Sequence, residues 1–251
     1  MKKRGQTTVF IVIGVVIVLI ALLVVYLDSK KIIGKRGDDF NTNPVSTFIE
    51  SCLETNLKAG VNYVGLQGGY YNEPVISKYY SYYNIPYYWY NNQSHVPEIS
   101  VIEQEISEYV KNYLPSCIND FKIFGDSKYE IEQGEISAKT TINELGVQIS
   151  IDYPIVIKSE GKSVSIDRFS SSVSGDLKKA YDASRLIIEE QKKTPNEMPL
   201  GFVAELADEK GFTFETITDG SDVIYSLIFG ENNVFIYNFA ANYEWEVEDE
   251  E

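Results

Sequence analysis

Histidine is nearly absent from this chain. Its 251 residues contain one, His95, together with two cysteines, two methionines and two tryptophans. A Ser-His-Asp or Cys-His relay would have to be built on that single imidazole, and His95 lies in NNQSHVP, which reads as a loop. No phosphate-cradling GxxxxGKS/T, no GxSxG elbow and no HExxH occurs. Ser159 and Lys162 match a Ser-Lys spacing, but across Glu160-Gly161, a turn between strands. Asp219-Gly220-Ser221-Asp222 offers oxygens without the spaced ligands of a calcium loop. Two separated thiols and one histidine do not make a zinc site, so the sequence calls for no metal and no cofactor. Cations are short as well: 22 Lys and Arg stand against 37 Asp and Glu, a net charge of −15. An acidic surface of this kind disfavours nucleic acid and anionic headgroups, whose phosphates need Lys and Arg.

What the chain does have begins at Val9. The nineteen residues to Leu27 carry no charge, and as a helix they reach about 30 Å, the thickness of a hydrocarbon core. A secretory leader has a shorter apolar region and small residues at its cleavage site. Here Asp28, Ser29, Lys30 and Lys31 follow, so the run reads as a retained transmembrane helix in contact with the lipid bilayer. Lys2, Lys3 and Arg4 precede it, while Lys30, Lys31, Lys35 and Arg36 follow it. Counting basic residues therefore does not orient it.

KKRGQ directly before a long apolar helix resembles the archaeal class III, type IV pilin-like signal segment. That resemblance implies cleavage between Gly5 and Gln6 on the cytoplasmic side, with the helix kept and able to pack in a filament core. The family often carries Glu five residues into the mature chain, and Phe10 stands there instead. FIESCLETNLKAGVNYVGLQGGY, the tyrosine-rich stretch after it and DYPIVIKSEGKSVSI are similar to uncharacterised membrane proteins of small-genome archaea, which bring no established activity. The signal-segment resemblance implies a cytoplasmic N-terminus and an extracytoplasmic C-terminal part, which the cysteine pair below also favours.

Residues 28 to 45 read as a linker, charged and broken by Gly34, Gly37 and Asn43-Pro44. Thr47 and Glu50 then open a helix in which Ile49, Leu53, Leu57, Val61 and Val64 repeat at helical spacing, ended by Gly68 and Gly69. A second helix starts with a capping box at Ser100 and Glu103, with Ile102, Ile106, Tyr109, Val110 and Tyr113 on one face. Cys52 sits near the start of the first and Cys117 just past the end of the second, so an antiparallel pair brings them together as a disulfide. That bond belongs to an oxidising compartment.

Between Tyr70 and Tyr90 fall nine tyrosines and Trp89. Tyr79, Tyr80, Tyr82, Tyr83, Tyr87, Tyr88, Trp89 and Tyr90 form a candidate binding surface, since such rings stack on sugars or anchor interfaces. The competing reading packs them over the helix pair, half buried and half exposed. Asn92-Gln93-Ser94 beside them is an N-glycosylation acceptor pattern at Asn92. Beyond residue 127 the period changes. Val147, Ile149, Ile151, Tyr153, Ile155 and Ile157 alternate with mostly polar neighbours in the middle of a three-strand meander. A helix at 176 to 192, a short one from Pro199 to Gly211, and strands at 212–218, 223–229 and 234–241 follow. VFIYNFA, apolar on both faces, fits a central strand under a helix. The acidic tail YEWEVEDEE reads as fraying into solvent.

The expectation is an α+β ectodomain behind one transmembrane helix: leader 1–5, helix 6–27, linker 28–45, a helical, tyrosine-rich subregion 46–126 and a β-rich subregion 127–251. Such a protein sits in the cell membrane and acts by binding or assembly, through self-association or other envelope proteins, as a pilin-like or envelope component. An anchored carboxylate-based hydrolase and a glycan- or ligand-binding sensor remain as alternatives.

Overall fold

The computed structural model describes residues 42–125, 129–231, 234–243 and 245. The leader, the apolar run and all but the end of the linker lie outside these. Among the described residues no helix is long and apolar enough to cross a membrane.

Helix α1 runs from Asn43 to Leu66, so residues 43–45 belong to it rather than to the linker. Pro44 sits in the first turn, where its missing N–H costs nothing and its fixed φ is already helical. Val45, Ile49, Leu53, Leu57, Val61 and Val64 are all buried. The helix stops as its two glycines require. Gly68 N–H donates to Gly65 O at 3.1 Å and Gly69 N–H to Val64 O at 2.8 Å, with Gly68 at φ +54°, a Schellman arrangement. A Cβ on Gly68 would stand 2.4 Å from Asn238 O, so the turn is also pressed against a strand.

Helix α2, Ile99–Ile118, buries Ile102, Ile106, Ser107, Val110, Leu114 and Ile118. It runs antiparallel to α1, for Cys52 bonds Cys117 while Tyr63 meets Tyr109 at 5.7 Å farther along. Cys117 lies inside the last turn of α2 rather than beyond it. The capping box at Ser100 and Glu103 does not form: Glu98 is the N-cap, with no side-chain bond. Glu103 and Ser107, one turn apart, serve a strand instead.

That strand is β5, Ser137–Asn143, which pairs with β6, Gly146–Ser159; β6 also pairs with β4, Glu130–Gln133, and with β7, Lys162–Ser174. All three ladders are antiparallel. β6 is central, and its odd-numbered residues are buried throughout. Pro154 falls at the register shift between Asp152 and Ile155, where a residue without an N–H breaks no ladder bond. β5 would otherwise expose an unpaired edge. Thr140 N–H donates to Ser107 Oγ at 3.0 Å and Ile142 N–H to Glu103 Oε1 at 2.8 Å. The helix thus supplies acceptors for alternate outward-pointing amides of the strand.

The second sheet has the order β1 (Ser77–Tyr80), β2 (Tyr83–Tyr90), β10 (Phe235–Asn242), β9 (Asp222–Phe229), β8 (Phe212–Asp219), with β3 (Gln93–Ser94) also on β2. β2 and β10 run parallel and the other pairs antiparallel. Helices α3 (Leu177–Gln191) and α4 (Leu200–Lys210) precede β8. α1 touches β7 and β10, and α3 touches strands of both sheets, so helices fill the space between them. β10 is central, as its two apolar faces imply. Because β2 pairs with β10, the helical and β-rich subregions share a sheet, and the residues from Thr42 on form one compact unit.

Replacing Glu103 or Ser107 with Ala should cost about 1–3 kcal/mol each in equilibrium denaturation, because a buried or half-buried amide loses its acceptor. Ser100→Ala should change stability by less than about 0.5 kcal/mol.

Candidate binding surface

The hairpin of β1 and β2 turns at Ser81 and Tyr82, with φ of 50° and 75°. A residue with a Cβ pays roughly 1–2 kcal/mol for that left-handed conformation, and glycine or asparagine ordinarily takes it. Tyr82 holds it while 88% exposed, so its ring contributes nothing to the core in return. Across the ladder Tyr80 opposes Tyr83, which places both rings on one face. From Tyr83 the aromatic surface continues onto the helix pair. Tyr83 meets Tyr63 at 6.1 Å, Tyr63 meets Tyr109 at 5.7 Å, and Tyr109 meets Tyr113 at 4.5 Å. Tyr71 lies against Tyr63, Tyr109 and Tyr113 at 6.0, 5.3 and 6.2 Å.

The strip is held from behind by hydrogen bonds. Glu105 Oε2 accepts from Tyr71 N–H at 2.9 Å, Asn72 N–H at 2.8 Å and Asn72 Nδ2 at 3.0 Å. Gln67 donates to Tyr70 O and Tyr71 O and accepts from Asn84 N–H at 3.0 Å. Asn112 Nδ2 reaches Tyr71 Oη at 3.4 Å. Gly60 lets Tyr109 lie on α1, since a Cβ there would stand 2.7 Å from its ring. Partial burial, then the neighbouring phenols, pushes the Tyr63 and Tyr109 hydroxyls above their ordinary range.

The eight aromatic residues read as a surface in the sequence divide sharply. Tyr79, Tyr80 and Tyr82 are exposed, and Tyr83 and Tyr90 are half-buried. Tyr87, Tyr88 and Trp89 are core, because their half of β2 is flanked by β10 and β3 and covered on both faces. Tyr88 Oη donates to Gly68 O at 2.9 Å and therefore accepts from Tyr237 Oη at 2.6 Å. Trp89 Nε1 donates to Pro195 O at 3.2 Å. Tyr87 packs with Ile85, Ile224 and Ala240 on the other face. Tyr63, Tyr71, Tyr109 and Tyr113 take their place on the strip. The i, i+4 spacing of Tyr109 and Tyr113 was the available signal, but it also fits the buried stripe of a helix.

Asp222 accepts from Lys78 at 2.8 Å and Asn242 at 2.7 Å, and Lys78 also pairs with Asp219 at 2.8 Å. Burial works against the Asp222 charge, but these donors and Tyr87 win and hold its carboxyl below the usual range. That is the opposite of a general acid. His95 N–H donates to Tyr88 O at 2.9 Å. Ser159 and Lys162 face each other across Glu160-Gly161 at φ 49° and 78°, a hairpin turn. A cleft of about 880 Å³ between α1 and the β7–α3 connection contains Lys58, Glu144, Asp176 and Lys179, in which Lys179 is bonded to Asp176 at 2.6 Å. Among the described residues no three of His, Cys, Asp and Glu converge as a metal-ligand set. The tail does not fray at its start: Tyr243 is buried, Trp245 stacks on it at 5.0 Å and donates to Asn196 O at 2.9 Å. Gly5 and Gln6 lie outside the described residues, and Asn92 caps an exposed turn.

No protein family, curated protein or solved structure matches this chain.

Two outcomes follow from the division of the tyrosines. Tyr82→Gly relieves the left-handed strain and should raise stability by roughly 0.5–1 kcal/mol in equilibrium denaturation. Burial pushes the Tyr225 hydroxyl from 10.0 up to about 12 and raises Tyr88 and Tyr237 as well. A raised phenol keeps its proton in the folded state while the unfolded chain loses its own, so stability is intact below pH 10 and falls as pH rises through about 12. Phenolate absorbance from the core should therefore appear together with loss of ellipticity, not before it.

Proposed function

We propose that this chain is a single-pass surface protein of an archaeal membrane, anchored by Val9–Leu27, which acts by binding or assembly through its tyrosine strip. Tyr82 carries the reading. A bulky side chain kept at a strained backbone position, exposed and without a packing role, is best explained by a contact made outside the fold. The polar stapling of residues 70–72 by Glu105 and Gln67 supports it, because a rigid aromatic surface loses little entropy on binding. α1 begins one residue after Thr42, where the described chain starts, and its 24 residues extend about 36 Å. The strip occupies the half of the helix pair farther from the α1 N-terminus, and the hairpin beyond it.

The Cys52–Cys117 bond supports an oxidising compartment for this unit. The KKRGQ junction supports trimming after Gly5 on the other side. Assembly into a filament is the narrower form of the proposal, with Phe10 in place of the family's Glu as its point of departure.

The experiment is terminal mass spectrometry of the protein taken from native membranes and from sheared surface filaments. A mature chain beginning at Gln6 in the filament fraction is the result expected of a pilin-like subunit. Intact Met1 chains confined to membranes would reject filament assembly and leave an anchored binding protein.

A further inference from the structure

We infer that Asn92 is an N-glycan attachment site, an assignment that rests on the proposed outward placement of residues 42–251. Asn92-Gln93-Ser94 is the single N-x-S/T pattern in the chain. Its geometry is that of an acceptor. Asn91 and Asn92 form the two-residue turn between β2 and β3, with φ of 50° and 55°, and Asn92, Gln93 and Ser94 are all exposed. Asparagine tolerates that conformation better than other side chains, so the turn needs no glycine. Among the described residues the Asn92 amide is engaged by no hydrogen bond, in contrast to Asn56, Asn72, Asn112, Asn238 and Asn242, whose amides all donate.

The segment can also leave the fold cheaply. β3 is held to β2 by two residue pairs, Trp89 with Ser94 and Tyr90 with Gln93, with one further bond from His95 N–H to Tyr88 O, and its own side chains bury nothing. Peeling it away would present an extended Asn-Gln-Ser to a transferase while β2 keeps its partners β1 and β10. In the reaction Asn92 Nδ2 forms a bond to the anomeric carbon of a lipid-pyrophosphate-linked oligosaccharide. The bond from that carbon to the phosphate oxygen breaks, the lipid pyrophosphate leaves with the electron pair, and Nδ2 gives up one proton. The Ser94 hydroxyl, two residues on, is the group that the transferase reads.

Placement of the glycan leaves the tyrosine strip open. β2 separates the Ser81-Tyr82 turn from the Asn91-Asn92 turn by eight residues, about 25 Å of strand. The sugar would shield the Asn92 end of the sheet and leave Tyr79, Tyr80 and Tyr82 accessible.

The test is intact and peptide mass spectrometry of the full chain purified from the membranes of the organism that makes it. Asn92→Gln, Ser94→Ala and Ser94→Thr variants are purified beside it, with cysteine alkylation and protease accessibility read on the same samples. The expected result is a mass excess on the peptide containing Asn92, lost completely in Asn92→Gln and Ser94→Ala and retained in Ser94→Thr. An unmodified Asn92 in molecules whose Cys52 and Cys117 are bonded and whose ectodomain is protease-accessible would overturn the assignment alone. Unmodified Asn92 with both thiols free and no accessibility would overturn the outward placement, and the assignment with it. A mass excess that survives Asn92→Gln would also overturn it.

Discussion

A separation of 65 residues is closed at its base by one covalent bond, Cys52 to Cys117, and both sheets are built on what that bond holds together. In the chain-entropy view the closure is worth roughly 4 kcal/mol. Its structural consequence is larger than that figure. α1 and α2 are fixed side by side in antiparallel register; α2 then covers the edge of β5 through Glu103 and Ser107, and α1 reaches β7 on one side and β10 on the other. Take away the registered pair and β5 loses its edge cover while β10 loses the surface under Gly65 and Gly68.

The same clamp decides the fate of the tyrosines. Those on the side of β2 and β10 that faces the helices are sealed into a hydrogen-bonded aromatic core: Tyr88 with Tyr237, and Tyr225 with Tyr243. Phe239 lies between Tyr88 and Tyr225, stacked on each at 5.1 Å. Those along the outer seam of the helices have no sheet over them, and pack on one another edge to face or tilted. One residue type therefore does two jobs. Its ring is apolar enough to be core where its hydroxyl finds a partner, and amphipathic enough to stay in water where it does not.

Local regularities were legible in the sequence. The odd-numbered apolar series of β6, the turns at Glu160-Gly161 and Asp219-Gly220, the Gly68-Gly69 stop and the Cys52–Cys117 pairing all follow from spacing and backbone preference. What depended on distant partners was not. The parallel joining of β2 to β10 crosses more than half the chain, so no local pattern marks it, and for that reason Tyr87, Tyr88 and Trp89 could not be told from their exposed neighbours. Glu103 stands where a capping box expects it, yet its oxygen goes to Ile142. A carboxylate at that position serves either a helix or a strand edge equally well. Tyr63 and Tyr71 were hidden for a similar cause: their surface exists only where two helices and a hairpin meet.

On the proposed reading, this acidic, tyrosine-faced unit clamped by a disulfide meets its partners outside a membrane. The redox state of its two cysteines tests that account most directly. Native membranes would be treated with a thiol-alkylating reagent in the absence of reductant, then reduced, alkylated with a second reagent and analysed by mass. The account predicts that Cys52 and Cys117 carry only the second label. Both residues carrying the first label in freshly prepared membranes would contradict it.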